Sequence, residues 1–328
     1  MAVDLRTRYL GLELAHPFIV ASSTLTATLD GVKKAAEHGA SAIVLKSLFE
    51  EQISAELKKQ ENQIDELSHP EAVDYVQQMG MRIGPREYVE LIKDAKKAVS
   101  IPVIASINCV SASWWTEYAK ELELAGADAL ELNIGIMPQG KEDTASHIED
   151  QLYKIIDKVV ALVRIPVSVK LGPYFTSLSH VAHECFRRGV KGLVLFNRFY
   201  QLDISLEAMS LKGGVAFSNP NDYTTSLRWI SILHGRNALD LCASTGIHDA
   251  QTALKLIASG ASAVELCSTL YKNGYKVIQE MIQESSNWLA SKGIASLSEL
   301  KGKLSQKTSP QPEAYDRVQY IKALTGMY

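Results

Sequence analysis

Little in this chain points to an oxidising compartment, a membrane or a nucleic acid. The four cysteines, Cys109, Cys185, Cys242 and Cys267, are scattered singly, and none forms a Cys-x-x-Cys pair. That spacing suggests neither a zinc site nor a disulfide framework, and the thiols read as reduced. No apolar run is long enough to cross a bilayer, and the start, Met1-Ala2-Val3-Asp4-Leu5-Arg6, lacks the basic and apolar stretches of a secretory signal. The expected location is the cytoplasm, with no membrane partner. Lys plus Arg is 34 and Asp plus Glu is 37, giving a formal net charge of -3. No basic cluster tracks a phosphate backbone, so no nucleic-acid partner is expected. A glycine-rich dinucleotide fingerprint is also missing.

What is present is a repeat. Gly39-Ala40-Ser41-Ala42-Ile43-Val44-Leu45-Lys46 has three counterparts, beginning at Gly126, Gly189 and Gly260. Each follows a helical stretch, so the glycine can end the helix in the left-handed conformation, and the apolar run after it suits a strand buried on both faces. Further strand candidates lie between the copies, at Phe18 to Ala21, Pro102 to Ile107, Pro166 to Lys170 and Leu239 to Ala243. Two of these open with Ile-Pro, where proline sacrifices no ladder hydrogen bond.

Interleaving the two sets gives eight strands. Helices are predicted at about Gly31 to His38, Arg86 to Val99, Trp114 to Ala125, His147 to Val163, Leu178 to Arg188, Tyr223 to His234, Ala250 to Ser259 and Gly274 to Lys292. Eight alternations without a linker predict an α/β fold, a single-domain (β/α)8 TIM barrel over residues 1–306. A doubly wound open sheet stays open, because strand order cannot be read from a sequence. Long connections follow the second strand (Phe49 to Pro85) and the sixth (Arg198 to Asn221). Residues 307–328 are expected to form an extension, helical from about Glu313, that docks on the barrel or on a second subunit.

In such a barrel the site is built from residues that end the strands. Here these are Lys46-Ser47, Ser106-Ile107-Asn108, Asn133, Lys170, Asn197, Ser244-Thr245-Gly246 and Ser268-Thr269. A single lysine there is ordinarily a solvated strand end. Two lysines and three asparagines together suit a flat, polar-edged ligand, because amides pair with planar heterocycles and an ammonium stabilises an anion on a ring edge. The small and hydroxyl residues of the last two strands suit a phosphate, or else ordinary turns and caps. Cys109 is either a reactive thiol or a small buried hydrophobe.

These pieces also occur in the order and spacing of a known family. His16-Pro17-Phe18-Ile19-Val20-Ala21-Ser22-Ser23, Leu45-Lys46-Ser47, Gln78-Met79-Gly80-Met81, Leu130-Glu131-Leu132-Asn133, Val169-Lys170-Leu171-Gly172-Pro173-Tyr174-Phe175, Phe196-Asn197, Thr245-Gly246-Ile247 and the stretch near Leu270 to Gly274 carry the likeness. Over about Leu5 to Gln306 the chain resembles the dihydroorotate dehydrogenases, of the soluble type without a membrane-associating amino-terminal extension. The resemblance implies an FMN oxidoreductase of pyrimidine biosynthesis that acts on a CH-CH group, turning dihydroorotate into orotate. It implies that Ala21, Ser22, Lys46, Ser47, Asn108 and Lys170 touch the flavin, and that Thr245, Gly246, Ser268 and Thr269 hold its phosphate. Asn133 and Asn197, which also border the flavin, would bond the substrate ring, so Lys46, Asn133 and Asn197 form the catalytic set. The partners implied are a small-molecule substrate, a second copy in a homodimer, and a separate electron acceptor or reductase subunit. No metal is expected.

The chain departs from the family after the fourth strand. The family reads Asn-x-Ser-Cys-Pro-Asn, whereas this chain reads Asn133-Ile134-Gly135-Ile136-Met137-Pro138-Gln139. Ile136 and Met137 cannot accept a proton, and a general base contributes about 100-fold to 10,000-fold. Cys109 and Ser111 are the leading candidate substitutes, followed by Thr144, Ser146, His147 and Tyr174. Gln77 stands for a family Asn, and Arg198 for a Ser after Asn197. These changes leave three other readings open: a flavoprotein for another unsaturated acid or cyclic amide, a non-redox phosphate-binding barrel enzyme, and a binding module that keeps the cradle without the chemistry.

Overall fold

A computed structural model describes residues 3–52, 85–111, 116–138, 140–198, 201–213 and 217–315. In chain order the strands are β1 (Thr7–Tyr9), β2 (Leu12–Leu14), β3 (Phe18–Val20), β4 (Ala42–Val44), β5 (Leu48–Phe49), β6 (Val103–Cys109), β7 (Ala129–Ile134), β8 (Val167–Leu171), β9 (Gly192–Leu195), β10 (Leu202–Ser205), β11 (Ser210–Gly213), β12 (Asp240–Ser244) and β13 (Ala263–Leu266). The large sheet has the hydrogen-bonded order β4-β3-β13-β12-β9-β8-β7-β6-β5, with β4 also pairing β6. That last pairing closes the sheet into the expected eight-stranded parallel barrel, in which β5 prolongs the line of β4 along β6. The open-sheet alternative is thereby excluded.

The chain divides into two compact units, one of Met1–Ile19, Leu171–Ala182 and Gly192–Tyr328, the other of Val20–Lys170 and His183–Lys191. In the second unit, strands β4, β6, β7 and β8 are apolar and buried wherever they meet their helices. Asp128 fixes the start of β6 by accepting from Val103 N at 2.7 Å and pairing with Lys96 on the helix Pro85–Ala98. In the first unit, Asp240 accepts from Leu10 N at 2.8 Å and so ties the β1–β2 hairpin to β12.

The repeat glycines behave as their sequence context requires. Gly39, Gly126, Gly189 and Gly260 have φ of 87°, 100°, 90° and 125°, each at the end of a helix and before a buried strand. Most helices fall within two residues of their predicted ends, for example Pro85–Ala98, Ala145–Leu162, Tyr223–Leu233 and Ala250–Ser259. One does not. The helix expected over Gly274 to Lys292 starts at Val277, and a separate short helix, Ser268–Asn273, precedes it; Gly274 at φ 74° breaks the two apart.

The long connection after the sixth barrel strand contains the hairpin β10–β11, which apolar periodicity did not reveal because both of its strands are exposed. Most of the connection after the second strand lies outside the described residues, as do Gln77 to Met81 and Gln139. Of the terminal extension, Pro312–Tyr315 forms a 3-10 turn and Tyr315 Oη donates to Leu304 O at 2.8 Å. The rest of the expected tail helix, residues 316–328, lies outside the described residues.

The repeat glycines differ in how closely they are packed. A Cβ on Gly126 would meet only Lys96 Cγ at 3.6 Å, whereas one on Gly260 would fall 2.4 Å from the His234 ring. Gly126→Ala is expected to lose about 1–2 kcal/mol, the cost of a left-handed alanine. Gly260→Ala is expected to lose a further 1–3 kcal/mol, roughly, from overpacking. Urea midpoints of the two variants check the order.

Candidate active site

In the second unit, strand register does what sequence spacing could only suggest. Phe49 pairs with Asn108, Asn108 with Asn133, and Asn133 with Lys170. Asn108, Asn133 and Lys170 therefore form one row across the carboxyl ends of three consecutive strands. Side chains two residues apart on a strand share a face, so a second row, Ser106, Glu131 and Ser168, lies directly beneath. The lower row is buried, at 0 to 1% exposure, whereas Asn108 and Asn133 in the upper row are partly open.

Lys170 is 8% exposed, and its Nζ lies 3.6 Å from Glu131 Oε1. An ion pair so deeply placed holds its geometry, because breaking it would strand a charge in a low dielectric. Ser106 belongs to a hydroxyl chain: Ser47 Oγ lies 2.8 Å from Ser106 Oγ and 3.0 Å from Ser22 Oγ, and Ser47 N donates to Ser22 Oγ at 2.8 Å. Buried Tyr88 fixes the backbone of Ser106, accepting from Ser106 N at 2.9 Å and donating to Ser106 O. Ala21 is buried next to Ser22, and Lys46 is partly exposed beside Ser47. Lys46, Ser47, Ser22, Asn108, Asn133 and Lys170 thus all belong to this unit.

The first unit carries the other predicted group. Thr245 and Gly246 both have left-handed backbones, φ 77° and 78°, in the turn after β12. Gly246 is obligatory there, since a Cβ would sit 2.3 Å from Tyr223 N. Thr245 Oγ1 donates to Phe196 O at 3.0 Å, and Ser226 Oγ donates to Ser244 O at 3.0 Å. Ser268 Oγ accepts from Ser218 N at 2.9 Å, while Thr269 Oγ1 accepts from Asn273 Nδ2 at 3.1 Å.

Three residues that strand-end reasoning missed also gather here. Lys272 donates to Ser218 O at 2.8 Å, and Ser218 Oγ lies 3.1 Å from His248 Nε2. Burial, and next the charge of Lys272, lowers the His248 pKa below its ordinary value, which favours the neutral ring. No sequence pattern marks Ser218, because it sits at the far end of a long connection. Asn197 N donates to Leu171 O at 2.8 Å, and Arg198 Nε lies 3.9 Å from Asp222 Oδ2.

The substitutes for the missing base separate clearly. Cys109 is fully buried, its thiol donating to Ile107 O. Burial first, and the Glu50 charge second, raises its pKa well above the thiol range, so it stays protonated at neutral pH. Thr144 caps the helix Ala145–Leu162 by accepting from His147 N at 3.2 Å; Ser146 Oγ lies 3.2 Å from the Thr144 hydroxyl, and the His147 ring is 2.8 Å from Gln151. Tyr174 is 75% exposed. Ser111 meets a carboxylate, its hydroxyl donating to buried Glu50. In the loop after β7, Met137 is 59% exposed and a Cβ on Gly135 would meet nothing within 4 Å. No cluster of three or more metal-ligating side chains occurs among the described residues, and no described helix is long and apolar enough to cross a membrane.

Fold and strand register together define a (β/α)8 barrel with a polar row at the carboxyl ends of its strands. The sequence profile of the family described as dihydroorotate dehydrogenase matches residues 4–289, and the chain belongs to that family. Among its relatives, the dihydroorotate dehydrogenase B (NAD(+)) catalytic subunit of Thermoplasma volcanium is 25% identical over 313 residues, covering 91% of this chain and 98% of that protein. The protein of the same name from Methanocaldococcus jannaschii is 26% identical over 311 residues, 91% and 97% of the two chains. A putative dihydroorotate dehydrogenase A (fumarate) from Aeropyrum pernix is 28% identical over 229 residues, 67% and 72%.

Thiol accessibility gives a direct check on the site's shape. Cys109, Cys185 and Cys242 are buried and Cys267 is partly exposed, and burial pushes the Cys185 pKa up to about 12. A disulfide reagent at pH 8 should modify Cys267 alone in the folded protein and all four thiols after denaturation. Cys267→Ser should abolish the native reaction.

Proposed function

We propose that this chain holds FMN and oxidises dihydroorotate to orotate. The observation that carries the reading is the row of Asn108, Asn133 and Lys170 stacked over Ser106, Glu131 and Ser168. Its donor set fits the group: two amides offer both donors and acceptors to a flat heteroaromatic edge, and Lys170 supplies a fixed positive charge. When bound, the flavin supplies a two-electron acceptor. Lys170, held by Glu131, stabilises negative charge on a ring edge, which a preorganised ammonium does without reorganising. Ser22, Ser47 and Lys46 line the same unit beside the hydroxyl chain. In the other unit, the backbone N–H groups of Thr245-Gly246 and Ser268-Thr269 take the phosphate, with Lys272 as a nearby cation. Asn133 and Asn197 bond the substrate ring.

The electrons then leave to a second acceptor. Two relatives bear the name of an NAD(+)-linked catalytic subunit, which supports a separate reductase subunit, whereas the fumarate-type relative supports a small-molecule acceptor. No cysteine cluster for an iron-sulfur centre occurs in the sequence, so such a centre would belong to a partner.

A homodimer is the further partner reading, and the β10–β11 hairpin supports it. Ile204 pairs with Leu211 and Asp203 with Lys212, so Leu202, Ile204 and Leu211 share one face while the Asp203–Lys212 ion pair occupies the other. Those three apolar residues are 63%, 57% and 69% exposed. An apolar face of this kind is characteristic of an interaction surface.

A second substrate is favoured by one feature, the apolar loop after β7 with Arg198 following Asn197. It makes another unsaturated acid or cyclic amide the alternative. Orotate titration of the flavin spectrum separates the two, since tight binding supports orotate chemistry.

The purified protein is expected to be yellow, and added FMN should raise its melting temperature. Anaerobic dihydroorotate should bleach the flavin. Asn133→Ala should weaken orotate binding by about tenfold or more, the loss of one or two hydrogen bonds to a buried ring, and should also loosen the flavin that Asn133 borders. A colourless protein that FMN does not stabilise defeats the reading in favour of a non-redox barrel. Ile204→Lys should shift a dimer to monomer in sedimentation velocity.

A further inference from the structure

The family's loop base is replaced in this chain by residues that cannot take a proton, yet a carboxylate and a hydroxyl meet on the neighbouring strand end. β5 runs alongside β6, with Leu48 opposite Ile107 and Phe49 opposite Asn108. Glu50 therefore emerges at the level where β6 ends. It is 8% exposed, and its Oε2 accepts from Val110 N and Ser111 N, both at 2.9 Å. Its second oxygen, Oε1, accepts from the Ser111 hydroxyl. Gly135 N donates to Cys109 O at 3.3 Å, so the loop after β7 is tied to the same rim. Ser111 thus stands three residues beyond Asn108 and beside the segment that follows Asn133, and it is partly exposed.

Anchoring the loop requires only the two backbone N–H bonds to Oε2. The bond from the hydroxyl to Oε1 does something further, because it aims the serine proton at a carboxylate. Hydroxyl and carboxylate in that order form the two-member version of an activated serine. Cys109, between them in sequence, is a buried thiol and does not compete.

We propose that Ser111 and Glu50 are the acid–base pair that takes the place of the missing loop base, an inference that rests on the dihydroorotate reading above. As the C5–H bond of dihydroorotate breaks, its proton passes to Ser111 Oγ while the serine proton passes to the Glu50 carboxylate. The electron pair left at C5 would form the C5–C6 double bond, and a bound oxidised flavin would supply the acceptor for the C6 hydrogen and its electron pair. Dihydroorotate would thus lose two electrons and two hydrogens, one as hydride to that acceptor and one as the proton that Glu50 holds and then yields to solvent. Ser111 is the catalytic residue and Glu50 the positioning residue that receives its proton.

The test uses the full flavin-loaded protein. Glu50→Gln keeps an oxygen for the two backbone N–H groups but presents an NH2 donor to Ser111. Ser111→Ala removes the hydroxyl, and Ser111→Thr retains it. Flavin reduction by dihydroorotate in a stopped-flow cell should fall by about 100-fold or more in Glu50→Gln and Ser111→Ala, and by less than about tenfold in Ser111→Thr. Orotate affinity, read from the flavin spectrum, and the melting temperature should stay near wild type, so the loss appears in kcat and not in KM.

Rates unchanged in both variants overturn the pair's role while leaving the proposed function standing. A rate loss matched by equal losses of orotate affinity and thermal stability also overturns it, since that pattern describes a loop anchor. A wild-type protein that binds flavin but neither binds orotate nor is reduced by dihydroorotate overturns the substrate reading, and this step with it.

Discussion

The site of this protein depends on the register of parallel strands. Because β6, β7 and β8 pair so that Asn108, Asn133 and Lys170 fall level, three residues separated by 25 and 37 positions in the sequence become adjacent on one rim. A slip of one residue would turn every side chain of a strand to the opposite face. It would exchange the polar row for Ile107, Leu132 and Val169. The buried helix-facing residues make that slip costly, so the apolar core and the polar site are enforced by the same pairing.

That arrangement carries a burden of buried polarity, which the structure meets by pairing. Glu131 answers Lys170, and Ser106 is held between Ser47 and Tyr88. Lys170 and Ser106 are thus each fixed by a neighbouring group. A ring that arrives at this rim meets dipoles and charges already oriented, and electrostatic stabilisation depends on such preorganisation. The Thr245-Gly246 turn follows the same logic in backbone form, with two consecutive left-handed residues pressed against the start of the helix Tyr223–Leu233.

The sequence made some of this plain and hid the rest for physical reasons. The four repeat glycines were legible because a helix end needs a left-handed residue and a strand buried on both faces reads as an apolar run. The β10–β11 hairpin was not, since its exposed strands lack the burial that generates a pattern. Gly274 was read as the start of a helix, although its left-handed conformation places it at a break between two. Glu50 was missed because a glutamate followed by another at a helix start has the appearance of a solvated turn. Burial by the strand end, visible only in three dimensions, changes its character.

Repeat and periodicity determined that strands and helices alternate eight times, and motif order carried the likeness to the dihydroorotate dehydrogenase family, because helix ends, buried strands and strand-end residues are local properties. Tertiary structure alone decided which polar residues stand together. Asn108, Asn133 and Lys170 share a row, Cys109 is sealed off, and Ser111 meets Glu50, since pairing between strands and burial beneath helices are long-range outcomes that no local spacing encodes.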